Sequence, residues 1–187
     1  MKDMSEYDNE NISAPTFKDY ITVLERLNIL SSQEAFSTNV RFPTNVGKRP
    51  KRHLVDPSLS IATLGMDMGS CKSDLNTFGF MFEVMCERDL DVYSSVMDGE
   101  LRHYRDSRGN EIDAIVKVGN GWGAFEIKLG ANQIDVTAKN LLKMKCLFEE
   151  SERATPPEFL CVICGMSSSA YMRPDGVYVV PITMLGP

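Results

Sequence analysis

The sequence has 187 residues and holds no apolar run near the roughly 20 residues that a membrane-spanning helix needs. Met1 to Ile12 is polar and acidic and contains no apolar core of a secretory signal. A cytoplasmic protein with no membrane partner is therefore expected. An excess of basic charge is also missing. The formal net charge is −6, which excludes a protein that coats nucleic acid by bulk electrostatics and leaves only a local patch for such contact. Nor is there a regular cysteine pattern. Five cysteines at 71, 86, 146, 161 and 164 are an odd and irregular set, against a disulfide framework. Cys161 and Cys164 form a C-x-x-C, yet they sit in the apolar run Phe159–Cys164. A strand sends residues three apart to opposite faces, so buried thiols are expected there and not zinc. Repeats and low-complexity tracts are absent.

What is present is an ordinary globular composition, 43% hydrophobic and 25% charged. Phe17, Tyr20, Ile21, Leu24 and Leu27 recur at helical spacing behind a capping box at Thr16–Asp19, with Leu30 and the following serines closing the helix. Two short strands, Ala35–Phe42 and Arg52–Asp56, follow around Pro43 and Gly47. Residues 1–56 thus outline a partial winged-helix-like segment. The basic cluster Lys48, Arg49, Lys51, Arg52 within it is the candidate nucleic-acid contact. Asp56-Pro57-Ser58 opens a helix that ends at Leu64 and Gly65, and Leu75–Cys86 reads as a buried helix. Glu83 is the only charge between Asp74 and Glu87, so it needs a metal, a base or a hydrogen-bond network.

Three strands then form a meander: 101–106, 111–118 and 122–128, with turns at 107–110 and 119–121. A long helix (Ile134, Ala138, Leu141, Leu142, Lys145, Phe148), a buried strand at 158–164 and a last hairpin around Asp175-Gly176 complete the chain. The expected fold is α+β or mixed α/β, a central mostly antiparallel to mixed sheet flanked by helices.

Register decides the chemistry. A two-residue loop at Gly119-Asn120 pairs residues whose numbers sum to about 239, placing Asp113 opposite Glu126 and Glu111 opposite Lys128. Asp113, Glu126 and Lys128 then share one face, while Phe125 and Ile127 join Ile112, Ala114 and Val116 in the core. A two-residue loop at Arg108-Gly109 sets Tyr104 opposite Asp113, as an accessory candidate. Two carboxylates about 5 Å apart beside a lysine suit a hard cation such as Mg²⁺ or Mn²⁺. Such an ion acidifies a bound water, and the lysine orients the nucleophile or meets developing charge. The bland alternative is a hairpin with cross-strand ion pairs.

Glu83 on a helix, Asp113 on a strand and Glu126-Ile127-Lys128 on the next resemble the PD-(D/E)XK nuclease superfamily, whose fold is restriction-endonuclease-like. The wider set (Lys51 to Leu59, Gly79 to Glu83, Tyr104 to Asp113, Phe125 to Lys128) looks like the C-terminal half of a bacterial family of AAA-type ATPases. There a nucleotide-binding domain and a winged helix precede a restriction-endonuclease-like domain of unassigned function. The resemblance implies that residues 57–187 are the nuclease-like domain and that the winged helix is cut short. It implies catalytic and metal roles for Asp113, Glu126 and Glu83, a catalytic Lys128, and an accessory Gln133. No G-x-x-x-x-G-K-[ST] occurs, so no ATP site is expected in this chain. Two readings follow: a metal-dependent phosphodiesterase acting on DNA, or a non-catalytic module docking on an ATPase domain, a second copy or DNA.

Overall fold

A computed structural model describes residues 13–37, 49–151 and 154–186. It is built on a six-stranded mixed sheet with helices on both faces, beside a small two-stranded sheet. In chain order the elements are α1 (Ala14–Arg26), β1 (Leu30–Gln33), β2 (Lys51–Leu54), α2 (Pro57–Thr63), α3 (Met68–Ser73), α4 (Leu75–Val96), β3 (Glu100–Arg105), β4 (Glu111–Val118), β5 (Gly121–Lys128), α5 (Ile134–Glu149), β6 (Phe159–Cys164), β7 (Tyr171–Met172) and β8 (Tyr178–Pro181). The large sheet has the order β3-β4-β5-β6-β8-β7. β3, β4 and β5 are antiparallel; β6 runs parallel to both β5 and β8. Among the described residues no helix is long and apolar enough to cross a membrane.

The sheet is buried on both sides, so its strands read as apolar runs and not as alternation. α5 lays Ile134, Ala138, Leu141, Met144 and Phe148 over Ile112, Ile115, Trp122, Ala124, Leu160 and Val162. α4 lays Phe82, Cys86 and Leu90 over Ala114, Val116, Phe125, Ile127, Cys161 and Ile163. Cys161 and Cys164 fall in different clusters, on opposite faces, as alternation requires, and burial pushes the Cys161 thiol up to about 12.

The N-terminal region departs from the sequence reading in detail. Ser13, not Thr16, caps α1: its hydroxyl accepts from Thr16 N at 3.3 Å. The helix stops at Arg26, and Asn28 takes φ 52°, reversing the chain so that Leu30-Ser31-Ser32-Gln33 becomes a strand and not a helix end. The expected strand Ala35–Phe42 is reduced to a bridge between Ala35 and His103; its later residues and the Gly47 turn lie outside the described residues. That bridge ties the small sheet to the large one. Phe36 N donates to His103 O at 2.7 Å, and His103 N donates to Glu34 O at 3.1 Å. Phe36 is buried against Trp122, ring centroids 4.8 Å apart. The ends of α2 match expectation, with Asp56 as N-cap and Gly65 at φ 63° just past the helix.

Phe36 therefore joins the core of the large sheet and anchors the small sheet to it. Phe36→Ala should lower the unfolding free energy by about 3 kcal/mol in a single cooperative denaturant transition. A separate early transition, or no loss, would show that the small sheet folds independently.

Candidate active site

Two turns fix where the acids fall. The β4–β5 ladder pairs Ala114 with Phe125 and Val118 with Gly121, the register the sequence predicts. Gly119 has φ 56° and serves as the first residue of a two-residue hairpin loop. The β3–β4 turn is longer than expected. Asp106 N donates to Asn110 O at 2.9 Å, giving a three-residue loop with Gly109 at φ 80°. The Asp106 carboxylate organises it, accepting from Arg108 N at 2.8 Å, Asn110 N at 2.9 Å and Asn110 Nδ2 at 2.8 Å. Those bonds outweigh the burial that opposes them and hold the carboxyl below its usual range.

Two corrections follow. Tyr104 pairs with Ile112, not Asp113, and Arg105 with Glu111. Arg102 pairs with Ile115, so between these pairs β4 advances one residue more than β3. The extra residue makes a bulge at Asp113-Ala114, the device by which strands re-aim a side chain. Ile112 consequently joins Ile115 on the α5 side, away from Ala114 and Val116. Tyr104 is buried there with its ring 5.3 Å from Phe148. Glu111 is exposed and lies 4.0 Å from Arg105 instead of opposite Lys128.

Asp113, Glu126 and Lys128 come together. Past Ala114 and Phe125 the ladder ends, and Asp113 Oδ2 accepts from Ile127 N at 2.9 Å and from Lys128 Nζ at 2.9 Å. Lys128 Nζ also lies 2.9 Å from Glu126 Oε2. Glu126 and Lys128 register with Val162 and Cys164 of the α5-side core, so the pair faces α5. Burial, then the neighbouring Asp113 charge, pushes the Glu126 carboxyl upward against the pull of Lys128. Burial disfavours the Lys128 cation, but the two acids outweigh it and raise its pKa.

Glu83 is bound by a different lysine. It extends from α4, which covers the opposite face, and its carboxylate is bound by Lys51 Nζ. Lys51 also donates to Glu87 Oε1 at 2.6 Å. Glu87 Oε2 lies 3.7 Å from His53 Nδ1. This second cluster answers the demand for a base at Glu83, and Lys51, His53 and Glu87 are its members that sequence reasoning missed. The signal was available: Lys51 and His53 are two apart in a strand, and Glu83 and Glu87 four apart in a helix. Lys51 thus points inward, whereas Arg49 and Arg52 are exposed; Lys48 lies outside the described residues. Gln133 turns back on its own loop, Oε1 accepting from Gly130 N at 3.3 Å. Among the described residues no group of three or more His, Cys, Asp or Glu side chains is arranged to hold a metal ion.

A family model described as Domain of unknown function (DUF4143) matches residues 78–185, and one described as Domain of unknown function (DUF8612) matches residues 2–70. Neither curated proteins nor solved structures yield a match.

Glu87 is fully buried, and desolvation raises its carboxyl to about 7 despite Lys51. A raised carboxyl pKa means the fold holds the proton more tightly than the open chain. Its destabilising effect is absent below the unfolded value and grows as pH rises from about 4.5 to about 7. Lys51, His53, Glu83 and Asp113 are the charged or titratable groups around it. Glu87→Gln should therefore gain stability relative to wild type across this window, by up to about 3 kcal/mol. Chemical denaturation at several pH values reads the difference, and a flat difference would reject the assignment.

Proposed function

We propose that this chain, which belongs to the family described as Domain of unknown function (DUF4143), carries a metal-dependent phosphodiesterase site of nuclease type at Asp113, Glu126 and Lys128. The observation that carries it is the single ammonium 2.9 Å from two carboxylates of neighbouring strands. One helix, three antiparallel strands, a helix and a parallel strand (α4-β3-β4-β5-α5-β6) make the order in which the PD-(D/E)XK resemblance expects that trio.

The donor set fits Mg²⁺ or Mn²⁺ in chemistry. Two carboxylates and one lysine leave an excess negative charge when both acids are ionised. Mg²⁺ is commonly held by one or two carboxylates, with waters and phosphate oxygens completing its shell. Asp113 and Glu126 would be its protein ligands; Glu83 is held by Lys51. When bound, such an ion lowers the pKa of a water and neutralises phosphate charge. The chain's own residues do the rest. Ile127 N–H fixes the Asp113 carboxylate. Glu126, ionised, would complete the pair of carboxylates on the ion. Lys128, released from the acids, orients the attacking water or meets the phosphorane charge.

Exposed Arg49 and Arg52 are the candidate phosphate contacts, with DNA as the expected substrate and the cytoplasm as the expected location. A specific observation favours a second reading. Lys128 already satisfies both acids, and an intact buried ion triad also suits a module that docks on an ATPase domain or a second copy.

Mn²⁺ titration separates the two. Under the enzymatic reading, Mn²⁺ raises the melting temperature by mass action, and Asp113→Ala and Glu126→Ala abolish the rise. Lys128→Met keeps the Mn²⁺-dependent rise but loses cleavage of single- or double-stranded DNA by at least about a hundredfold. No rise in wild type, together with no cleavage, leaves the docking module.

A further inference from the structure

A cavity that shares no residue with Asp113, Glu126 and Lys128 opens at the other end of β5, on its α4 side. Its volume is about 350 Å³. Leu90, Tyr93, Ser94 and Met97 recur at helical spacing, so the C-terminal turns of α4 and the residue that caps them make one wall. Val116 and Phe125, from the core on that side of the sheet, make the wall opposite.

Small residues leave the room. Ser94 lines the cavity from α4 and is buried. Gly121 and Gly123 stand on the strand face that carries Phe125, where β5 would otherwise project side chains toward α4. Those two places are taken from the neighbouring strand. A Cβ at Gly123 would run into the Phe159 ring, and one at Gly121 into the Glu158 carboxylate. Glu158 and Phe159 thus lie across β5 and form part of the cavity surface. Both are fixed there. Glu158 N donates to Trp122 O at 2.9 Å, and the Phe159 ring meets Phe125 edge to face, centroids 5.4 Å apart.

Charge then selects the occupant. Glu158 is the only charged residue lining the cavity, and no described lysine or arginine pairs with it. We infer that this cavity binds an organic cation, an apolar body of one ring and a short chain with its ammonium on the Glu158 carboxylate. Apolar walls with one placed polar group are the ordinary make-up of a small-molecule site. The carboxylate repels an anionic ligand of the same shape and gives a cation a charge-assisted bond. Tyr93, Phe125 and Phe159 bring rings to the surface, and ring faces also attract a cation. Glu158 and Phe159 are exposed at the mouth, so the ammonium keeps part of its hydration while the body is buried. The room suits about twelve non-hydrogen atoms, since a cavity of about 150 Å³ takes benzene.

Calorimetry on the full chain tests this with 4-phenylbutylamine, its uncharged counterpart 4-phenylbutanol and its anionic counterpart 4-phenylbutyrate. The amine should bind saturably and about fivefold or more tighter than the alcohol, with the butyrate weakest. Glu158→Gln, at an exposed position, should bring the amine down to the alcohol's affinity and leave the alcohol unchanged. Glu158→Lys should reverse the order and make the butyrate the tightest of the three. Absent amine binding, or equal binding of amine and alcohol, overturns the inference. So does an amine preference that survives Glu158→Gln, and so does an unchanged order in Glu158→Lys.

Discussion

At the end of the β4–β5 ladder a side chain does what main chain does elsewhere. Ile127 N–H sits in a buried strand and must find an acceptor, because an orphaned amide there costs as much as a lost hydrogen bond. The Asp113 carboxylate supplies it at 2.9 Å and takes Lys128 at the same distance. The two strands can separate at that point without leaving backbone unsatisfied. An acid committed to a backbone amide also has a fixed position, which a catalytic or ligating carboxylate needs. The bulge at Asp113-Ala114 is the companion of this separation, since it turns Ile112 to the α5 side and frees Asp113 to reach across.

The same electrostatic unit occurs twice, and the two are within electrostatic reach of one another, since the Asp113 charge acts on Glu87. Lys128 sits between Asp113 and Glu126, and Lys51 between Glu83 and Glu87. In each, one ammonium serves two carboxylates, and burial, added to by the second acid's charge, pushes one carboxyl up against the pull of the lysine: Glu126 in the first and Glu87 in the second. Burying ions in this way is poor value as stability, because desolvation consumes much of the Coulomb gain.

Some of this was legible in residue order. The loop at Gly119-Asn120 and the apolar face of β5 settled the register, and register alone brought Asp113, Glu126 and Lys128 to one place. The helix ends at Asp56 and Gly65 and the opposed cysteines of β6 followed from capping and alternation. The β3–β4 turn did not, because a carboxylate at Asp106 gathers three donors from Arg108 and Asn110, besides the Tyr104 hydroxyl, and holds a three-residue loop where pattern suggested two. The direction of Lys51 did not either. In a basic run a lysine reads as solvated, and only a helix carrying Glu83 and Glu87 across from β2 turns it inward.

The amino-acid order by itself determined which strands form, how β4 meets β5, and that two acids and a lysine meet, since these rest on local turn geometry and a period of two. Tertiary packing decided the sidedness. α4 and α5 each claim one face, and a strand residue can serve only one of them. Glu83 is thereby committed to Lys51, and a polar cavity opens beside Glu87 that no local pattern encodes.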